Sequence, residues 1–287
     1  MDETPARLRT FLAAGAPVII AELIAVRGSS PRRAGTWMLI TESAVHETIG
    51  GGALEYMVIA RARQALRDGL PATTLDVPLG PEIGQCCGGR VEVSLKVLSS
   101  ARASALLVEA ETEHANRPQV LVFGAGHVGR ALAQCLALLP VAVEMVDTRP
   151  DVLQDLPAGV VARAVAMPEA LVRAARPGAA HVIVTHDHAL DFLIAAEALG
   201  RGDAAYVGMV GSRTKRARFA SWYLSQGGSE EALSRLVLPI GAQGLGDKRP
   251  EVIAALAAAE IMVHIGQREA RDERAVTTSR GRAVHES

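Results

Sequence analysis

Cysteine is scarce in this chain of 287 residues: there are three, and two of them are adjacent. Three thiols cannot build a disulfide framework. Neighbouring Cα atoms lie about 3.8 Å apart across a trans peptide, short of the roughly 4.4–6.8 Å that a disulfide spans. A bond between Cys86 and Cys87 would therefore be strained and easily reduced. A surplus of one charge is also missing. Thirty Lys and Arg stand against 31 Asp and Glu, a net charge of −1, which gives no electrostatic reason to expect nucleic acid or a membrane surface as partner. No apolar run approaches the ~18 residues of a spanning helix. The opening stretch MDETPARLRTFLAAGAPVII puts acids ahead of its apolar run and lacks a basic n-region, so no secretory signal is expected. The chain reads as cytoplasmic, with reduced thiols. Internal repeats and low-complexity tracts are missing too. What is present is a globular balance, 49% hydrophobic and 21% charged, in a length that fits about two domains.

The order of the pieces divides the chain. VIIAELIAV (18–26) and WMLI (37–40) read as strands around the turn-rich RGSSPRRAGT. IGGGALEYMVIARARQALRDG (49–69) puts three glycines before a helical pattern, with Leu54, Met57, Val58, Ala62, Ala65 and Leu66 on one face. Val91, Val93, Leu95 and Val97 alternate with Glu92, Ser94 and Lys96, the period of a strand with one buried face. ARASALLVEAETEHANRP (101–118) reads as a helix running into a polar linker, so an α+β N-terminal domain over 1–105 is expected, then a linker over 106–118. From residue 119 strands and helices alternate, which predicts a parallel sheet covered on both faces, an α/β Rossmann-like domain over 119–266. Residues 267–287 show little apolar periodicity and are expected to be a disordered tail.

Within the second domain, QVLVFGAGHVGRALAQCLALLPVAVEMVDTR (119–149) carries a dinucleotide-type signature. An apolar strand runs into Gly124, Gly126 and Gly129 at G-x-G-x-x-G spacing. A helix with Val128, Leu132 and Leu136 follows, and a second strand ends at Asp147. The first glycine allows the turn, the second admits a pyrophosphate, and the third lets helix pack on strand. A helix N-terminus offers unpaired N–H groups to a phosphate. Gly124, Gly126, His127, Gly129 and Asp147 are thus candidate nucleotide contacts; the same glycines could equally serve only the turn. His186, Asp187, His188, Ser212, Arg213 and Lys215 follow further strands and should converge near Gly126 and His127, because strand C-termini line the cleft of an open α/β sheet. The alternative for His186 and His188 is helix capping or solvation. His186-x-His188 has no third ligand at useful spacing for zinc. Cys135, on the apolar face of the first helix, reads as a small core residue.

Three N-terminal loops look chemically linked. GSSPRRAGTW (28–37) offers the hydroxyls of Ser29 and Ser30 and the guanidinium groups of Arg32 and Arg33. IGGGALE (49–55) offers the N–H groups of Gly50, Gly51 and Gly52 at a helix start, an anion site. GQCCGGR (84–90) offers two thiols in a glycine frame, with Gln85 before them, Gly88 and Gly89 after, and Arg90 as a positive neighbour that would lower a thiol pKa. Together they suit a ligand with phosphate or oxyanion groups and a soft, sulfur-loving metal. The bland alternative is that the glycines only make turns.

These motifs, GSSPRRAGTWML, IGGGALE, GQCCGG, VFGAGHVGRAL, VDTR, THDHALD, GMVGSRTKR and PIG…RPEVIAALAAAEI, occur in the order found in the XdhC/CoxI family of xanthine dehydrogenase accessory proteins, which the chain resembles over residues 10 to 265. The resemblance implies a molybdenum cofactor chaperone, not a metabolic enzyme. Such a protein binds the pterin-dithiolene cofactor, shields it while its terminal sulfido ligand is installed, and delivers it to apo-xanthine dehydrogenase. It implies Cys86 and Cys87 as contacts to molybdenum, flanked by Gln85, Gly88 and Gly89. Ser29, Ser30, Arg32, Gly50, Gly51 and Gly52 become candidates for phosphate and pterin contacts. Implied partners are the dehydrogenase's molybdenum subunit, a sulfur-donating cysteine desulfurase and a second copy of the chain, with neither nucleic acid nor membrane. One departure is visible: after Pro239-Ile240-Gly241 the family usually continues with leucine, and here Ala242 stands ahead of GLGD. The competing expectation is an NAD(P)-dependent oxidoreductase using the GAGHVG turn.

Overall fold

The structure, a computed structural model, describes residues 3–69, 73–80, 88–242 and 246–285, with side chains from residue 5 to residue 275 within those stretches. Gln85, Cys86 and Cys87 lie outside the described residues. The chain divides into two compact units, Glu3–Glu113 and the residues from His114 onward.

The first unit runs α1 (Glu3–Ala13), β1 (Ile19–Arg27), β2 (Trp37–Ile40), β3 (Val45–His46), α2 (Gly52–Asp68), β4 (Thr73–Pro78), β5 (Arg90–Val97) and α3 (Ser100–Ala115). Its five strands form an antiparallel sheet in the order β3-β2-β1-β5-β4. The near-continuous apolar run of β1 has a physical reason: both faces of the sheet are covered. Ile19, Ala21 and Leu23 join the core beneath α2, whereas Ile20 packs with Leu8 of α1 and Leu106 of α3. On α2 the buried stripe is Leu54, Val58, Ala62 and Ala65; Met57, expected on that face, is exposed. Val97, expected on the buried face of β5, reaches solvent at the strand end. Residues 106–115, expected as linker, continue α3. Their polar composition hides a helix, which Leu106 anchors in the core with Leu107 and Ala110 packed beside it.

The second unit runs β6 (Gln119–Phe123), α4 (His127–Leu136), β7 (Ala142–Asp147), a 3₁₀ turn (Pro150–Leu153), β8 (Val161–Ala164), α5 (Glu169–Ala174), β9 (Ala180–Ile183), α6 (His188–Arg201), β10 (Tyr206–Met209), α7 (Arg213–Ser225), α8 (Glu230–Ser234), β11 (Leu236–Val237) and α9 (Pro250–His285). The sheet is parallel throughout, in the order β11-β10-β9-β6-β7-β8. Numbered within the unit and read from β8, that is 3-2-1-4-5-6, the doubly wound dinucleotide-fold order with its switch point between β6 and β9. Side chains alternate between two cores. Val120 and Val122 face α4 and α9, while Leu121 and Phe123 face α6 and α7. Cys135 is a free, half-buried thiol packed against the first of these cores. The residues from 267 on, expected as a tail, continue α9 to His285. Charged residues of good helix propensity make up QREARDER, and Arg268 pairs with Asp272 one turn on.

Candidate functional site

The structure brings the 28–35 loop against Gly50 on one side and Gly89 on the other. The β4–β5 hairpin closes where Gly88 N–H donates to Leu79 O at 2.9 Å and Leu79 N–H donates to Gly89 O at 2.8 Å. This closure lies directly after the two adjacent cysteines in sequence. A Cβ on Gly89 would sit 2.0 Å from Ser29 O and 2.9 Å from Arg27 O, so only glycine lets the two backbones meet. On the other side, a Cβ on Gly50 would lie 2.8 Å from Pro31 Cγ, and Gly50 holds φ +133. The 28–35 loop is thus wedged between the hairpin base and the triple glycine.

One expected role is corrected here. The N–H groups of the triple glycine are largely taken by Glu55, whose carboxylate accepts from Gly51 N–H at 2.9 Å, Ile49 N–H at 3.1 Å and the Thr48 hydroxyl. Gly50 N–H donates to Thr48 Oγ1 at 3.1 Å. Burial pushes the Glu55 carboxyl up, but these hydrogen bonds outweigh it and hold it below the ordinary carboxylate range. The loop already holds its own anion, so the N–H groups of Gly50 and Gly51 are not open to a phosphate. Arg90, expected as the cation beside the thiols, donates to Asp76 at 2.6 and 2.7 Å. Ser30 Oγ accepts from Arg32 N–H at 3.4 Å, and the Arg32 side chain lines a separate cleft with Trp37 and His46.

In the second unit the three glycines of GAGHVG prove unequal. Gly124 holds φ +112, and a Cβ there would meet Val184 O at 2.5 Å. A Cβ on Gly129 would sit 1.9 Å from Gly124 O. Gly126 is different: its φ of −74 suits any residue, and nothing lies within 4 Å of where its Cβ would be. Turn and packing explain two glycines, and the third leaves open space at the uncapped start of α4, with His127 as its first residue. Asp147, expected as a candidate nucleotide contact, is buried and engaged. Its Oδ2 accepts from Ala125 N–H at 2.9 Å and Arg149 Nη2 at 3.2 Å, and its Oδ1 from Arg149 Nε at 3.0 Å. Burial pushes its carboxyl up, but the Arg149 and Ala125 bonds hold it below its usual range.

Residues 120–261 match the XdhC Rossmann domain, and residues 11–77 match the XdhC and CoxI family. The chain belongs to the XdhC and CoxI family. YqeB of Escherichia coli (strain K12), described as uncharacterised, is 29% identical over 256 residues, 86% of this chain. The chain spans 43% of that protein's length. A crystal structure described as a xanthine dehydrogenase from Bacillus halodurans superposes with a TM-score of 0.77 at 19% identity, covering 93% of this chain and 97% of the other. At that identity the likeness speaks to the fold.

The second unit also contains a buried pair that sequence reading left unlinked. Buried Lys215 Nζ donates to Asp191 Oδ2 and, at 2.9 Å, to Val210 O. Asp191 Oδ1 accepts from the Thr185 hydroxyl at 2.7 Å and Thr185 N–H at 3.2 Å. Thr185 follows Val184, whose carbonyl abuts Gly124. Of the six residues expected to converge near Gly126 and His127, Lys215 is linked to the glycine turn in this way. Asp187 caps α6 through Ala189 N–H, and Ser212 caps α7 through Lys215 N–H. His186, His188 and Arg213 are exposed. Spacing could have flagged Glu55, an acid in the first turn after a glycine run. Nothing local links Asp191 to Lys215, 24 residues apart.

Proposed function

We propose that this chain is an accessory protein of a xanthine dehydrogenase-type enzyme that carries the molybdenum cofactor as cargo. It shields the cofactor while the terminal sulfido ligand is installed, then delivers it to the apo-enzyme's molybdenum subunit. The observation that carries this reading is the seating of Gly89 against the Ser29 carbonyl, directly after two adjacent thiols, in a chain matching the family over both units. Thiolates are soft ligands suited to a soft metal centre, and a carrier must later release what it holds. A cysteine desulfurase as sulfur donor and a second copy of the chain complete the proposed partners, with the cytoplasm as the compartment.

The test is anaerobic gel filtration of the protein mixed with free molybdenum cofactor, followed by pterin and molybdenum assay of the protein peak. Near one equivalent of each is expected, and the Cys86→Ala/Cys87→Ala double variant loses both. Unchanged retention in both single variants and the double would sink the thiolate contact. A second reading, a nucleotide at the GAGHVG turn of an oxidoreductase, is favoured by one observation, the unfilled space at Gly126. If it holds, NAD(H) or NADP(H) raises the melting temperature, as any native-state ligand must.

A further inference from the structure

A cleft of about 520 Å³ opens at the edge of the parallel sheet opposite the glycine turn, a size typical of small-molecule sites. The register fixes its place. Tyr206, which lines it, starts β10 and pairs with Ala180 at the start of β9; Ala180 pairs with Val120 near the start of β6, whereas GAGHVG follows the end of β6. Leu199, Tyr206, Val207 and Val237 make an apolar lining. Its neutral polar groups are committed. The Tyr206 hydroxyl donates to Glu260 Oε1 at 2.6 Å, Ser234 Oγ donates to Glu231 O at 2.7 Å, and His264 Nδ1 donates to Glu260 O at 3.0 Å. Three arginines line the same cleft. Arg268 Nε pairs with Asp272 at 3.5 Å. Arg235 donates to backbone alone, to Gly202 O and Leu199 O at 2.9 Å each. The C-terminus of α6 that it caps carries only about half a negative charge. Arg271 Nε donates to Gln267 O at 3.1 Å, and its two terminal nitrogens have no partner among the described residues. Arg201, which caps α5 on this edge, is by contrast closed by Asp203 at 2.9 and 2.7 Å. Arg235 and Arg271 thus bring to one cleft two positive charges that no carboxylate among the described residues pairs.

We infer that this cleft binds a small organic phosphate, a phosphomonoester whose body lies on the apolar lining. A phosphomonoester carries a charge of about −1.5 to −2 at neutral pH, which matches the two unpaired guanidinium groups. The free terminal nitrogens of Arg271 form a planar fork that fits two phosphate oxygens. A carboxylate brings a single charge, and free inorganic phosphate makes no use of the apolar lining. Ligands of an open α/β sheet ordinarily sit at the carboxyl ends of its strands; this site is at the amino ends, and it rests on neither reading of the function given above.

The test is isothermal titration calorimetry of the full-length protein with phenyl phosphate, inorganic phosphate, benzoate and benzyl alcohol. Phenyl phosphate is expected to bind about tenfold or more tighter than inorganic phosphate, through burial of the ring. It is expected to exceed benzoate by a similar factor, through the second charge and its hydrogen bonds; benzyl alcohol gives no heat. Arg271→Gln lies on the exposed side of α9, so its melting temperature stays that of the parent while its affinity for phenyl phosphate falls about tenfold or more. Arg271→Lys keeps the charge without the fork and falls less. Arg235→Gln weakens binding too, but it also strips carbonyls at the end of α6 of their donor, so the Arg271 variants carry the decision. Arg213→Gln, beyond the carboxyl end of β10, binds as the parent does. No heat from phenyl phosphate, full affinity in Arg271→Gln, or benzoate binding as tightly as phenyl phosphate overturns the inference. Inorganic phosphate binding as tightly overturns the organic body. A loss in Arg213→Gln with none in Arg271→Gln puts the phosphate at the glycine-turn edge and overturns this cleft.

Discussion

His181 sits at the middle of the parallel sheet, paired with Leu121 of β6 on one side and Val207 of β10 on the other. It is fully buried and stacks on Phe123 with centroids 6.2 Å apart. Neither ring nitrogen has a hydrogen-bond partner among the described residues. Burial, reinforced by the Arg201 charge and opposed by Asp203, lowers its pKa from 6.5 to about 4. The fold accepts the neutral ring and resists the imidazolium, whereas the unfolded chain takes up the proton below its ordinary pKa. Stability is therefore complete above about pH 6.5 and is lost as pH falls toward 4. At about 1.36 kcal/mol per pH unit, the whole interval is worth about 3.4 kcal/mol, and about 2 kcal/mol of it is gone at pH 5. The assay is urea unfolding at pH 7.5, 6 and 5, comparing the protein with His181→Leu in a Trp37→Phe background, so that Trp222 reports the second unit alone. The carboxylates with lowered pKa values, Asp147 and Asp203 among them, titrate in both proteins and cancel in the difference. His181→Leu is expected to gain on the parent by about 2 kcal/mol between pH 7.5 and pH 5. A difference that does not change with pH would refute a buried, neutral, unpartnered ring.

Two further comparisons, one between glycine variants and one on a buried ion pair, test the second unit. Gly129→Ala drives a Cβ into Gly124 O and is expected to cost at least about 1–3 kcal/mol by overpacking. Gly126→Ala meets nothing within 4 Å and stays within about 0.5 kcal/mol; thermal melts of the pair check this, and equal losses would refute the unequal roles. Lys215→Met strands the Asp191 carboxylate in the interior and is expected to cost about 3–5 kcal/mol, most of it recovered by adding Asp191→Leu. A double variant no more stable than the single, in chemical denaturation, would count against the pair.

The second unit was readable because its signals are local. Alternation of apolar strand and amphipathic helix, glycines at fixed offsets and an acid at the end of the second strand need no distant partner to be recognised. The antiparallel first unit was legible in part: β1, β2, α2 and β5 stand where period and turn residues put them. A helix running into a polar linker is legible in ARASALLVEAETEHANRP, but its continuation to Ala115 is not, because AETEHANRP looks like linker by composition and the anchor Leu106 is buried by strand residues some seventy to ninety positions away. Site chemistry was less legible than site location. The 28–35 loop meets Gly50 and Gly89, yet nothing in IGGGALE says that Glu55 will occupy the loop's own N–H groups. Nor does VDTR say that Arg149 will close over Asp147, or GGR that Arg90 will turn to Asp76.

The sequence by itself determined the alternating strand–helix character of the second unit and the family, since those depend on periodicity and on residue types at short, fixed separations; the strand order 3-2-1-4-5-6 came from the structure. Tertiary structure alone decided which polar groups remain free. Among the described residues the Arg32 guanidinium has no partner and Glu47 only a 3.9 Å contact to His46, while Gly51 N–H, Arg90 and Asp147 are spoken for. A charge or an N–H is satisfied by whatever the fold brings within about 3 Å, and for Lys215 and Asp191 that partner lies 24 residues away in the chain.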